Sequence, residues 1–349
     1  FTVQAQYTPW LYLTFLPKEL MDEIVGEASG EAAWRTISVL NGFNRDRSAD
    51  EFKGTFFETQ YVVDQLKRYG IEKVDVVSYP GGEAWDGIKG ELWEVSPIRQ
   101  KLASHNDMVP MLVNGSSPTN CTGELVWIGR GTVEDIRQAK VDGKIVVTEG
   151  NIGSVHGEAC LRQGALGVIA ISQGRPKADT LELPWSGLSA RRRPPIPGMG
   201  QAQQPGAEPP APPPPPKFGF NLPLREGDFL KSRLMRGEKI SVAVDIETQT
   251  LPYDLENVVC VIPGIGPDSG EVIFSAHLFE GIVKQGANDN ISGSAAILEV
   301  ARTLKTLIAD GRLPRPKRSI RFLWGPEFSG TSLWVKDNQA IMEKTLCNI

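Results

Sequence analysis

Several things are scarce in this chain, and each scarcity narrows its chemistry. Cysteine occurs four times in 349 residues, at Cys121, Cys160, Cys260 and Cys347, far apart and without a C-x-x-C pair. That spacing argues against a structural zinc knot; it leaves three possible pairings if all four form disulfides, with buried free thiols as the alternative. No window approaches the ~18 consecutive apolar residues of a membrane-spanning helix, so no membrane span is expected. Positive charge is not in excess: the formal net charge is −5, and the one dense basic run, "ARRRPP" at residues 190–195, is too local for a phosphate-tracking surface. Nucleic acid is therefore not an expected partner. The glycine-rich "GIGPDSG" at residues 264–270 has no following Lys-Ser/Thr, which argues against a phosphate-binding loop of that type. Histidine is represented by His105, His156 and His277 alone, and none follows His277.

The bulk composition is ordinary for a folded globular protein, with 40% apolar and 23% charged residues. The length suits about two domains at roughly 100 to 200 residues each. The first residue is Phe1 rather than Met, and "FTVQAQ" is compatible with the tail of a removed leader carrying a small-residue cleavage site. Export, to a secreted or periplasmic location, is the expectation.

Along residues 29–80 the pattern predicts a helix, an Arg- and Ser-containing loop, a longer helix stopped by Gly70, and the strand "KVDVVSY". From about Gly123 the texture changes to short strands set between glycine turns: "GELVWIGRG", "GKIVVTEG", then a short helix leading into "GVIAI". Gly164 and Gly167 allow close packing there. His105 and His156 read as surface or capping residues. Residues 191–220 hold the proline-rich "RRRPPIPGMGQAQQPGAEPPAPPPPPKFGF", which favours an extended polyproline II tract. Such a tract serves either as a surface excursion or as a ligand for an aromatic-lined groove.

The last third alternates strand, loop, helix and strand. "ENVVCVIPG" and "GEVIFSAH" read as strands, "SGSAAILEVARTLKTLI" as an amphipathic helix starting near Ser292, and "KRSIRFLWGPE" as a strand ending near Glu327. Alternation of this kind implies a mostly parallel sheet with its chemistry at the carboxyl ends of the strands. His277, Asp289 and Glu327 fall at or just beyond such ends. Imidazole nitrogen and carboxylate oxygen are normal zinc ligands, and a carboxylate that does not bind the metal can deprotonate a water molecule. Trp324, Trp334 and Phe328 are candidates for lining a pocket there or for packing the core.

"SAH", "GANDNISGSAAILEVAR" and "RSIRFLWGPEFSGT" together resemble the zinc aminopeptidase and glutamate carboxypeptidase family. The module at roughly residues 111–245 resembles the protease-associated domain often inserted in that family. The resemblance implies an α/β fold, a mostly parallel mixed sheet with helices on both faces and an inserted β-rich domain. Residues 1–110 would form the amino-terminal part of the peptidase-like domain, 111–250 the insert and 251–349 the first part of the catalytic domain, incomplete at its carboxyl end. His277 would take the place of the first zinc ligand, Asp289 that of the carboxylate bridging two zincs, and Glu327 that of the general base. Asn290 would follow the peptide bond that aims the Asp.

Three departures separate the chain from the family pattern. His-x-Asp is here His277-Leu278-Phe279, the Glu-Glu pair is Glu327-Phe328, and two further ligands expected downstream are not found before Ile349. Glu280, three residues after His277, is a candidate replacement ligand in a rearranged or single-metal site. The expected function is that of a metallopeptidase of the aminopeptidase or carboxypeptidase type, using one or two zinc ions and a peptide or protein substrate. The alternative is an inactive relative kept as an extracellular binding or assembly component. Self-association, or a second chain supplying the carboxyl-terminal part, is compatible with either.

Overall fold

The computed structural model describes residues 16–42, 56–171, 180–188, 217–266, 270–279 and 286–349. The leader-like start, the loop at 43–55, the basic run with most of the proline tract, and Glu280 lie outside the described residues.

In chain order the elements are α1 (Lys18–Glu27), α2 (Gly30–Gly42), α3 (Phe57–Arg68), β1 (Val74–Ser96), β2 (Gln100–Ser104), β3 (Thr119–Trp127), α4 (Val133–Ala139), β4 (Ile145–Thr148), α5 (Ile152–Val155), β5 (Gly167–Ile171), β6 (Phe218–Leu222), α6 (Leu224–Met235), β7 (Ser241–Ile262), β8 (Glu271–Phe279), α7 (Ser292–Ala309), β9 (Ser319–Pro326), α8 (Ser329–Asp337), α9 (Gln339–Met342) and β10 (Thr345–Asn348). They form two compact units, one of Phe1–Gly82 with Pro252–Ile349, the other of Glu83–Leu251. The border expected at residue 110 lies inside the second unit. The chain changes unit within β1 and again within β7, and the two stretches read as separate strands before and after residue 250 are one continuous strand.

In the first unit β10, β8 and β9 run parallel, and the second half of β7 lies antiparallel to β9 with Val258 opposite Trp324 and Ile262 opposite Ile320. Strand residues alternate between faces, and β9 shows it. Phe322 and Trp324 pack into a core with Leu40 of α2, Val62 and Leu66 of α3, and Leu298 of α7, whereas Leu323 joins Trp334 of α8. Helices therefore cover both faces. Helix α7 buries Ala295, Ile297, Leu298, Ala301 and Leu307, the three-and-four spacing of an apolar stripe turned to the sheet. Trp324 and Trp334 are core residues, not pocket lining. Where the chain leaves and re-enters this unit, Gly81 lies against Tyr253; a β-carbon at Gly81 would be 2.7 Å from the Tyr253 ring.

In the second unit β3, β4, β5 and β6 are parallel neighbours, and the first half of β7 is antiparallel to β3. The apolar runs of β4 and β5 are buried along their whole length, as strands covered on both faces should be. Ile145, Val147, Ile169 and Ile171 face one core, while Val146, Val168 and Ala170 face another. Gly167 is where β5 meets the Phe218 ring: a β-carbon there would be 2.3 Å from it. Arg233 of α6 holds buried Glu94 of β1 through two 2.7 Å bonds and also binds Glu238. A paired buried charge of this kind is costly to break, about 3–5 kcal/mol when one partner is removed.

His105 and His156 are not surface residues. His105 is buried with Nδ1 3.3 Å from the Val109 carbonyl. His156 is buried within a π-helical turn, His156–Cys160, that continues α5, and its Nε2 accepts the Lys217 amide at 3.0 Å. All four cysteines are free thiols; Cys160 and Cys260 are buried, Cys121 is intermediate and Cys347 is exposed. No helix among the described residues is long and apolar enough to cross a membrane.

Candidate active site

β8 ends on the sequence His277-Leu278-Phe279, in register with Gly325 and Pro326 of β9. Leu278 is fully buried and anchors the strand end. His277 keeps 17% of its side chain exposed and sets Nε2 3.1 Å from Oδ1 of Asp289, whose side chain is 70% exposed. The histidine's main chain is held as well: Ser294 Oγ donates to the His277 carbonyl at 2.9 Å, and Trp324 Nε1 donates to the Ser294 carbonyl at 3.1 Å. Three elements, β8, α7 and β9, are thus joined beneath one imidazole.

Asp289 lies in a π-type turn, Ala287–Ile291, that leads into α7. Asp289 and Asn290 leave helical geometry, and the peptide bond between them is cis. This is the bond to which the family resemblance assigns the aiming of the carboxylate. Asn290 Oδ1 accepts the Gly293 amide at 3.1 Å at the start of the helix. A β-carbon at Gly293 would be 2.2 Å from that oxygen, so the residue there must be small.

Glu327 follows the last residue of β9, Pro326, and is exposed. Its carbonyl accepts the Ser329 amide at 2.6 Å, which closes a γ-turn around Phe328 at φ 54°, ψ −54°. This positive-φ form is the rare and strained kind of γ-turn, and its cost is of order 1–3 kcal/mol. Phe328 is 67% exposed, so its ring projects outward. Asn257 fixes this turn from below. Its Nδ2 donates to the Gly330 carbonyl at 2.8 Å, and β-carbons at Gly325 or Gly330 would be 2.0 or 2.5 Å from its Oδ1.

The structure thus brings His277 and Asp289 into direct contact and places Glu327 at the end of the neighbouring strand. Glu280 lies outside the described residues. Among the described residues no third His, Cys, Asp or Glu joins the pair to make a metal-binding group. An imidazole and a carboxylate 3.1 Å apart suit zinc by donor type, but a catalytic zinc takes three protein ligands. Asn257 and Ser294 escaped sequence reasoning, because each acts through main-chain atoms brought near only by folding.

The sequence profile of Peptidase family M28 matches residues 257–327, which begin at Asn257 and end at Glu327. Solved structures share the fold. An aminopeptidase from Aneurinibacillus sp. superposes with a TM-score of 0.56 at 20% identity, covering 94% of this chain and 71% of that one. A peptidase M28 precursor from Shewanella amazonensis gives 0.64 at 16% identity, covering 95% and 72%. The zinc aminopeptidase BSAP from Bacillus subtilis gives 0.57 at 18%, covering 91% and 67%. Among curated proteins none matches. The class that the fold defines is a mixed α/β one with a mostly parallel central sheet, as expected.

Proposed function

We propose that the protein is a metal-dependent peptidase of the aminopeptidase or carboxypeptidase type, acting at the carboxyl ends of β8 and β9. The observation that carries this reading is the 3.1 Å contact of His277 Nε2 with Asp289 Oδ1, inside the segment matched by Peptidase family M28. The superposition on a zinc aminopeptidase supports zinc as the metal. His277 and Asp289 would hold one zinc, with Glu280 as third ligand. A zinc there supplies Lewis acidity toward the scissile carbonyl and toward water.

Glu327 is the general base. An exposed carboxylate at the strand end, tethered by the γ-turn behind it, takes a proton from the attacking water and returns it to the leaving amine. Phe328 offers no oxygen for a second ion, which favours a single-metal site over a bridged pair.

The test combines metal analysis with turnover. Protein purified without added metal should carry about one zinc per chain and release amine from aminoacyl or peptidyl amides. Glu327→Gln should lower turnover by roughly 10²–10⁴-fold while leaving bound zinc unchanged. Unchanged turnover removes Glu327 from the mechanism. Absence of both zinc and hydrolysis would replace the enzymatic reading with that of a peptidase-like binding component.

A further inference from the structure

At the opposite end of the same strands the first unit carries a cavity of about 320 Å³, lined by the turn between α3 and β1, the end of β7, two residues of α7 and Arg315. Ile262 pairs with Ile320 at the start of β9, whereas His277 pairs with Gly325. Five residues of strand separate the two places, about 17 Å at ~3.4 Å per residue. The cavity is therefore distinct from the proposed catalytic site.

Its walls divide by chemistry. Ile71, Val261, Ile262, Pro263 and Ile308 supply an apolar interior, and Lys73, Lys305, Arg315 and Glu72 supply charge. Among the described residues no ion pair involves any of these four charged groups. Three cations and one carboxylate leave an excess of two positive charges around a small volume. Lys73 and Arg315 are exposed and Lys305 half-buried, so the cations present an electropositive rim to an anion that enters. Two of the cations are also positioned. Gly70 adopts φ 80°, and the Cε of Lys305 lies 3.4 Å from where a β-carbon at Gly70 would be, so the lysine stem runs over the bare glycine. Arg315 Nη2 reaches the Pro263 and Gly264 carbonyls at 3.4 Å each, which leaves most of the five guanidinium donors for other acceptors.

We infer that this cavity binds a small phosphate monoester with an apolar body. A phosphate monoester carries about −1.5 to −2 charges at pH 7, matching the surplus, and its oxygens suit the planar fork of Arg315 with the two ammonium groups. The apolar interior takes the organic part.

Phenyl phosphate is a direct probe, titrated into the whole chain by calorimetry. The expected result is saturable 1:1 binding that weakens as salt rises. Lys305→Met keeps the stem and removes the charge, and Arg315→Met does the same at the rim. Each should weaken binding at least about tenfold, with Tm unchanged. Lys239→Met, in the other unit, should leave affinity as it was. Lack of saturable binding, or an affinity indifferent to both cavity variants, overturns the site. Inorganic phosphate or benzoate binding as tightly as phenyl phosphate overturns the assignment to an apolar phosphate monoester.

Discussion

Asn257 Nδ2 donates to the Gly330 carbonyl at 2.8 Å while its Oδ1 faces Gly325, so one buried amide spans both sides of the turn that carries Glu327. Removing it by Asn257→Ala strands a buried carbonyl and should cost about 1–3 kcal/mol, read from urea unfolding. Gly325→Ala places a methyl 2.0 Å from Oδ1 and should also destabilise. The two changes should not add: in the Asn257→Ala background the alanine at 325 meets no oxygen, and the double mutant should recover part of its cost. Strict additivity would refute the contact.

Phe328 stands where the family resemblance implies a second ligating carboxylate, and its side chain is mostly in solvent. Phe328→Glu should therefore shift stability by no more than about 0.5 kcal/mol, as outward-facing substitutions do. Its effect should appear in metal content, with zinc per chain rising when the variant is equilibrated with excess zinc and then desalted. Equal zinc in both proteins would show that position 328 does not face the metal.

Burial pushes the Cys160 and Cys260 thiols up to about 12 and raises the Cys121 thiol as well. Thiolate is the reactive form. Titration with a thiol reagent at pH 8 should give one fast equivalent from exposed Cys347, a slower one from Cys121, and two more only in denaturant. Four fast equivalents in the native protein would contradict the described packing.

Burial, together with the nearby Lys217 charge, holds the His156 pKa below its ordinary value. The native state then binds fewer protons than the unfolded chain between the lowered pKa and the usual one near 6.5. Stability should be fully present above about pH 6.5 and fall as the pH drops below it, by at most about 1.4 kcal/mol per pH unit from this group. Urea unfolding at pH 7.5 and pH 5.5 checks the sign. His156→Gln should flatten that dependence, and an unaltered slope would assign the acid sensitivity to other groups.

The elements around the site were legible because their signals are local. The apolar run ending on His277, the three-and-four stripe from Ser292 and the alternation before Glu327 gave β8, α7 and β9 close to where they lie. The burial of His156 was not legible, since the amide it accepts belongs to Lys217, 61 residues away across the proline tract. The antiparallel entry of β7 beside β9 escaped for a related reason: direction is decided by strand partners, not by the strand's own residues. Asn257 resembled any polar residue at a strand start until Gly325 and Gly330 were folded around it. For Glu280 the expectation rests on sequence alone.

The contact of Gly81 with Tyr253 bears on the order in which the chain folds. Residues 83–251, 169 in all by subtraction (251 − 83 + 1), intervene between the two parts of the first unit. While they are unstructured, bringing Gly82 to Pro252 closes a long loop, at an entropy cost of about 4–5 kcal/mol from (3/2)RT ln n. Once the second unit has formed, its two ends are already fixed and most of that cost is gone. The second unit should therefore gain structure first. In refolding followed by amide protection, β4 and β5 should be protected ahead of α7 and β9.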